Sequence, residues 1–151
     1  MSKVSIDQIK KLREATGAPI AEIKDALEKA GGDEKKAREA LKKSGVARAS
    51  KRAERETKSG RVVTYVHHSS TVGSIVSLLC ETDFVARTDE FQELGREIAM
   101  QIASMSPKDV KVLLKQEYIR DPKKTINDLV KEVIAKTGEN IQIKDFKRFE
   151  V

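Results

Sequence analysis

Side chains that could carry out catalysis are scarce in this sequence. His67, His68 and Cys80 are the residues that would have to supply a nucleophile and its base. Neighbouring histidines on a strand point to opposite faces, and a single cysteine in the context Leu-Leu-Cys is typical of a buried core position. The sequence has no glycine-rich phosphate loop, no His-Glu-x-x-His pair and no second cysteine for a thiolate metal site. We therefore expect no enzymatic activity, no metal site and no cofactor.

The segment Cys80–Arg87 has the residues of a rigid turn and is the most informative part of the chain. Thr82 or Asp83 can cap the backbone N–H groups that begin a helix. Phe84, one of four phenylalanines, then has two interpretations. It is either buried under the edge of a sheet, or it is held at the tip of the turn as an apolar anchor for a partner protein.

A basic stripe, Lys35–Lys58, accounts for the net positive charge of the chain. Its ten Lys or Arg and three Glu give +7, whereas the whole chain of 151 residues carries +6. Such a stripe can bind nucleic acid, contact an acidic partner or form the solvated face of a helix. Nucleic acid is the least favoured of these partners because the stripe lacks interleaved aromatic residues and a recognisable reading helix.

The composition predicts a soluble globular protein with an aliphatic core. Apolar residues make up 38% of the chain, charged residues 36% and aromatic residues 4%. No run approaches the ~18 apolar residues of a membrane span, and the N-terminus has no secretory hydrophobic region. We expect a cytoplasmic protein that does not contact a membrane.

Capping residues and apolar periodicity divide residues 1–45 into three short helices. Ser5 and Gln8 have the spacing of a capping box, and Gly17 suits the end of the first helix. The pattern of the third helix ends at Gly45. The sequence therefore predicts a small three-helix module at the N-terminus.

Residues 46–60 predict a basic linker, because they have no apolar face to bury. Residues 61–151 predict a core domain with three strands, at 62–66, 75–80 and 141–151. Two amphipathic helices begin near Asp89 and Thr125. The predicted fold class is α+β: a three-helix module, a basic linker, and a three-stranded antiparallel sheet packed with helices.

Two further details of the core follow from the pattern. The stretch between Pro107 and Pro122 has no clear periodicity and predicts a connection with about one helical turn. Alternation along the last strand places Phe149 on the same face as Ile141.

Several motifs resemble the bacterial elongation factor Ts family. The resemblance rests on five segments: Thr-Asp-Phe-Val-Ala-Arg at 82–87 after the run ending in Cys80-Glu81, Leu12–Ala18 with Ile23–Leu27, Lys42–Gly45 as the end of the N-terminal module, Asp121–Thr125, and Arg148–Val151. These segments occur in the family's order across nearly the whole chain. No single one of them would be as specific as the set.

The resemblance implies a guanine-nucleotide exchange factor for elongation factor Tu, with no catalytic chemistry of its own. In this family the Thr-Asp-Phe-Val turn inserts near the Mg²⁺ and phosphate site of elongation factor Tu bound to GDP, so that GDP leaves and GTP can rebind. By that resemblance Asp83 and Phe84 are the main wedge, and Thr82 and Val85 support its conformation.

The resemblance also implies a second contact with elongation factor Tu, and it marks this chain as a short member of the family. The N-terminal module, similar to ubiquitin-associated domains, would dock on elongation factor Tu through Gly17, Ile20 and Ala21. The coiled-coil insertion of longer members has no counterpart here, and short relatives work as homodimers, so we expect a dimer through the sheet.

Two alternatives use only part of the chain. A nucleic-acid-binding protein would rely on Lys35–Lys58, and a stand-alone ubiquitin-associated-like adaptor would rely on residues 1–45. None of these interpretations requires a small-molecule substrate.

Overall fold

The structure is a computed structural model that describes residues 4–151. Within this range the helices are α1 (Ile6–Thr16), α2 (Ile20–Lys29), α3 (Glu34–Lys51), α4 (Asp83–Ala86), α5 (Asp89–Met105), α6 (Val110–Lys115) and α7 (Ile126–Thr137). The strands are β1 (Ser59–Val66), β2 (Val72–Cys80), β3 (Glu117–Tyr118), β4 (Asp121–Thr125) and β5 (Ile141–Glu150). Helices around an antiparallel sheet confirm the predicted α+β class. None of these helices is long and apolar enough to cross a membrane.

Local capping defines the ends of α1. The Ser5 hydroxyl accepts a hydrogen bond from the Gln8 backbone N–H at 3.1 Å, and the Gln8 side chain accepts one from the Ser5 N–H at 3.1 Å. Gly17 ends the helix with φ 63°, a left-handed conformation that favours glycine. Both predictions for this helix are confirmed.

The third helix is longer than the sequence pattern predicts. It begins after its cap, Asp33, and continues through Gly45 to Lys51, so the predicted end at Gly45 is wrong. At Gly45 the helix lies against α7, where an added Cβ would be 3.1 Å from the Ala135 Cβ. Ala49 is buried in the larger core. This tertiary packing stabilises the extra turns, which have no apolar face large enough to be recognised in isolation.

The predicted linker, residues 46–60, is consequently structured over most of its length. Residues 46–51 complete α3, and β1 begins at Ser59. Between them the carbonyls of Ala53 and Arg55 accept hydrogen bonds from the Asn140 side chain. The division of the chain at residues 45 and 60 remains a prediction.

Strands β1, β2 and β5 form an antiparallel sheet in the order β1-β2-β5, and α5 packs on one of its faces. The inward side chains of β2 are Ser74, Val76, Leu78 and Cys80, all buried. We call the opposite side of the sheet the open face. Its exposed apolar side chains are Val62, Val66, Ile75 and Phe149.

A β-bulge changes the alternation of β5. Ile143 and Asp145 pair with consecutive residues of β2, so Lys144 is an extra residue in the ladder. Beyond it, Phe149 lies on the open face, whereas Ile141 is buried. The prediction that these two side chains share a face is therefore wrong, because one inserted residue reverses the parity of every residue after it.

The stretch between Pro107 and Pro122 contains more structure than predicted, namely α6 and the first part of the β3–β4 hairpin. Gln101, buried on α5, holds the hairpin. Its amide nitrogen donates to the Glu117 carbonyl at 3.0 Å, and its amide oxygen accepts from the Ile119 N–H at 3.1 Å. A distant buried side chain, and not local periodicity, fixes this hairpin.

The N-terminal helices pack directly on α7. An added Cβ on Gly17 would lie 2.6 Å from the Lys136 Cα. The Lys42 ammonium group lies 3.1 Å from the Glu132 carboxylate, and so links α3 to α7. The helical module and the core are thus joined by close backbone approach as well as by charge.

Candidate protein-binding site

A sharply capped turn follows β2 and carries the residues that the sequence singles out. Thr82 is the N-cap of α4, and its hydroxyl accepts a hydrogen bond from the Val85 N–H at 3.4 Å. The Thr88 hydroxyl caps α5 in the same way, with the Phe91 N–H at 3.3 Å. Two caps within seven residues fix the backbone between β2 and α5.

Phe84 points into solvent from this turn. It is 78% exposed, whereas its neighbours Val85 and Ala86 are buried in the core. The interpretation that buries Phe84 under the sheet edge is therefore wrong. An aromatic ring held in water by a fixed backbone has the properties of an anchor for a partner protein.

Asp83 and Val85 have different roles in the geometry of the turn. Asp83 is exposed, and its carboxylate lies 3.0 Å from the Arg87 guanidinium group. Val85 is buried, so it attaches the turn to the core and leaves Asp83 and Phe84 as the outward pair. The assignment of these residues as partner contacts remains a prediction.

Glu139 is a residue of this site that the sequence pattern did not identify. Its carboxylate accepts hydrogen bonds from the backbone N–H groups of Glu81 and Thr82, at 3.1 and 3.0 Å, and from the Thr82 hydroxyl at 2.6 Å. The only local signal is the left-handed Gly138 before it, which ends α7 with φ 78° and turns the chain toward β2. The partner residues are 57 and 58 positions away, beyond the reach of local patterns.

Cys80 lies beneath the turn as a structural residue. It is buried, and its thiol donates to the Thr82 carbonyl at 3.1 Å. Burial, and then the negative charge of Glu139, raises the pKa of the Cys80 thiol above its ordinary value of 9.0. The protonated thiol is therefore favoured at neutral pH, which is the opposite of what a nucleophile requires.

The structure separates Cys80 from the two histidines. Cys80 pairs with Ser59 at the start of β1, while His67 follows the end of that strand. The eight residues of β1 span roughly 23 Å. His67 and His68 lie in the hairpin turn, with ring centroids 4.0 Å apart, and do not form a catalytic pair with the thiol. Residues 4–151 contain no group of three or more His, Cys, Asp or Glu side chains that could hold a metal ion.

The second predicted contact surface lies where α1 meets α2. Gly17, Ile20 and Ala21 are all exposed there, while Ala18 between them is buried. The structure thus brings the three residues together on one surface of the module. Their role in binding remains a prediction.

The basic stripe is partly used for internal ion pairs. Arg48 pairs with Glu22 of α2, and the Arg55 guanidinium group lies 3.7 Å from the Glu81 carboxylate. Together with Lys42 and Glu132, these pairs connect α3 and the residues after it to other elements. This arrangement favours a structural and solvated role for much of the stripe.

Comparison with known proteins identifies one family. The family model described as Elongation factor TS matches residues 81–151. Elongation factor Ts of Thermotoga petrophila is 41% identical over 99% of this chain and 96% of its own. Elongation factor Ts of Fervidobacterium nodosum is 39% identical over 99% and 98%, and that of Leptospira biflexa is 42% identical over 98% of both chains. The chain belongs to the elongation factor Ts family.

Among elongation factor Ts proteins this is a short form. The alignment with the Thermotoga petrophila relative covers 192 positions against 151 residues here, a difference of at least 41. The relatives therefore contain residues with no counterpart in this chain. The segment that matches the family model begins at Glu81, immediately before the capped turn, and extends beyond Glu139.

Proposed function

We propose that this protein is the nucleotide-exchange factor of elongation factor Tu, and that Phe84 is the wedge that opens the nucleotide site. It binds the GDP-bound partner, inserts Phe84 and Asp83 near the Mg²⁺ and phosphate groups, and promotes release of GDP so that GTP can bind. The observation that carries this proposal is the exposed ring of Phe84 on a capped, internally braced turn. The protein acts in the cytoplasm, where it meets its partner.

The mechanism requires thermodynamic linkage between two binding events on elongation factor Tu, the binding of this protein and the binding of GDP. It breaks no covalent bond. A protein that binds nucleotide-free elongation factor Tu more tightly than the GDP complex must weaken GDP binding by the same factor. The side chains of this chain only have to stabilise the distorted nucleotide site. The protein accordingly acts as a binding factor and not as an enzyme.

The N-terminal module provides a second contact in this proposal. Gly17, Ile20 and Ala21 form an exposed surface on a module whose helices α1 and α3 pack on α7 of the core. Two contacts on elements that pack together need less ordering on binding than two tethered contacts. This surface increases affinity, and the wedge weakens GDP binding.

The proposal includes a homodimer that associates through the open face. This face presents exposed apolar side chains from all three strands of the sheet, including Val62, Ile75 and Phe149. Exposed apolar side chains on a sheet face are typical of an association site. A second protomer covers it in the proposed dimer.

Release of labelled GDP from elongation factor Tu, measured with and without this protein, tests the proposed function. We expect faster release that saturates with concentration and changes little when nucleic acid is added. An unchanged release rate would refute the proposal. Retention on nucleic acid that falls steeply with salt would instead support the alternative based on Lys35–Lys58.

A further inference from the structure

We call residues 81–88, the turn that carries Phe84, the wedge turn. Hydrogen bonds in both directions join it to the connection between α7 and β5. Glu139 accepts from the backbone N–H groups of Glu81 and Thr82. In the opposite direction, the Glu81 carboxylate accepts from the Asn140 backbone N–H at 2.7 Å. Each segment therefore supplies a carboxylate that satisfies the other's backbone. Hydrogen bonds to an ionised carboxylate are stronger than those between neutral groups.

The same connection reaches the segment that follows the helical module. Asn140 is only 1% exposed, and its side-chain amide donates to the carbonyls of Ala53 and Arg55 at 3.3 and 2.8 Å. The Arg55 guanidinium group in turn lies 3.7 Å from the Glu81 carboxylate. Residues 81–82, 139–140 and 53–55 thus form one hydrogen-bonded cluster, which we call the brace.

The brace also sets the orientation of the Thr82 cap. The Thr82 hydroxyl donates to Glu139 at 2.6 Å, so a lone pair of the same oxygen is available to accept from the Val85 N–H. Without Glu139 the hydroxyl could rotate, and two backbone N–H groups would lose their acceptor. The conformation that presents Phe84 would then be one of several available to the turn.

From this geometry we propose that Glu139 is a positioning residue for nucleotide exchange: it fixes the wedge turn in its binding conformation before the partner arrives, with Asn140 joining that turn to the end of the helical module. The inference rests on the proposed function. Glu139 acts through Glu81 and Thr82 and does not itself contact elongation factor Tu. A preset turn raises affinity because the partner does not have to select a minor conformation.

The variant Glu139→Gln tests this role with little change in shape. Its amide keeps an acceptor oxygen for the two backbone N–H groups, but it loses the charge, and the nitrogen that replaces the other oxygen cannot accept from the Thr82 hydroxyl. We expect the concentration for half-maximal GDP release to rise about 10-fold, as for a turn that is competent about a tenth of the time. The maximal rate should stay near that of the unchanged protein, because Phe84 is still present.

Glu117→Gln is the matched control, since Glu117 is exposed on β3 and its side chain takes no part in the brace. Hydrogen exchange provides a readout that does not need the partner. The amides of Glu81, Thr82 and Val85 should exchange faster in Glu139→Gln than in Glu117→Gln, while amides in the middle of α5 should be unchanged. A uniform increase over the whole chain would indicate a general stability role and would overturn the proposal.

The variant Thr82→Val provides a second test within the brace. It removes the hydroxyl that links Glu139 to the Val85 N–H, so its effect on half-maximal concentration should not add to that of Glu139→Gln. Full additivity, or an unchanged half-maximal concentration in Glu139→Gln, contradicts the proposed role. If the unchanged protein fails to accelerate GDP release, the proposed function is refuted, while the exchange of the three amides still tests the brace.

Discussion

At the scale of single residues, the chain holds the aromatic side chain of Phe84 in water and keeps the two residues after it in the core. Phe84 is exposed, and the buried residues that follow it, Val85 and Ala86, fix the backbone on which it stands. Exposure of this ring is unfavourable for the isolated chain. A partner's pocket that removes the ring from water recovers that free energy on binding, so the arrangement favours association.

Replacing Phe84 with alanine should reduce exchange without affecting the fold. The ring makes little contact with the core, so the free energy of unfolding should change by less than about 0.5 kcal/mol. Loss of a central aromatic anchor should weaken exchange-competent binding by about 2 kcal/mol or more. GDP release from elongation factor Tu and urea unfolding measure the two effects separately.

Met105→Ala is a suitable control for this variant, because Met105 is also exposed and apolar. It lies at the far end of the 17-residue helix α5, about 24 Å along the axis from the turn. It should leave GDP release unchanged. Equal losses of exchange in both variants would contradict the assignment of Phe84 as the wedge.

The surroundings of Tyr118 predict that the free energy of unfolding depends on pH in the alkaline range. Burial, and then its hydrogen bond to the Glu97 carboxylate, raises the pKa of the Tyr118 hydroxyl above its ordinary value of 10.0. A pKa that is raised in the folded state gives stability that is complete below pH 10 and is lost as the pH rises further. The free energy of unfolding should therefore fall above about pH 10.

Urea unfolding of the unchanged protein and of Tyr118→Phe, measured between pH 8 and 11, tests this dependence. The variant cannot ionise at this position, so its stability should fall less over the alkaline part of the range. Parallel pH curves for the two proteins would show that Tyr118 does not contribute. Effects of pH that are common to both proteins cancel in the comparison.

At the scale of elements, glycines determine how closely the module approaches the core. Gly17 ends α1 in a left-handed conformation, and an added Cβ would meet the backbone of Lys136 in α7. Gly45 lets α3 pass close to Ala135 of α7. Both contacts are on α7, which precedes the brace residue Glu139. Packing contacts therefore join the N-terminal module to α7, and hydrogen bonds join the end of α7 to the turn that carries Phe84.

Gly17→Ala should destabilise the protein by at least about 1 kcal/mol more than Gly31→Ala. Both glycines have positive φ, 63° and 62°, so both variants pay the cost of a left-handed alanine. At Gly31 an added Cβ meets nothing within 4 Å, whereas at Gly17 it lies 2.6 Å from the Lys136 Cα. Thermal or urea unfolding of the two variants measures the difference, and equal stabilities would contradict close packing between α1 and α7.

At the scale of the whole molecule, no helix within residues 4–151 covers the exposed apolar side chains of the open face. Helix α5 packs on the other face. The exposed apolar side chains of the open face come from all three strands, and Val62 and Phe149 lie on the two edge strands. The short form also lacks residues that its relatives contain. The second protomer that we propose on the open face would account for both features.

Val62→Lys should convert the proposed dimer into a monomer. Val62 is 65% exposed in the single chain, so a lysine there is tolerated by the fold but is unfavourable in an apolar interface. Light scattering at micromolar concentration should give twice the 16.8 kDa chain mass for the unchanged protein and that mass itself for the variant. Ile6→Lys, an exposed position on α1, is the control and should remain dimeric. A monomeric mass for the unchanged protein would remove the dimer from the proposal.

Much of the local architecture could be predicted because its causes lie within a few residues. The Ser5–Gln8 and Thr125–Asp128 capping boxes each connect residues three positions apart. The periodicity of α5 and α7, the pairing of β1 with β2 and the capped turn at Thr82 follow from similarly short patterns. For the same reason the motif around Phe84 was visible in the sequence alone.

Other features depended on contacts between distant parts of the chain. No local pattern specified the end of α3 at Lys51, the bulge at Lys144 or the exposed position of Phe84. The hydrogen bonds of the brace join residues 57 to 87 positions apart. The sequence by itself determined the resemblance to the family, the locally capped ends of α1 and α7, and the residues of the turn. Only the tertiary structure decided which of those side chains faces solvent and what holds it there, because burial and long-range hydrogen bonds exist only once the chain has folded.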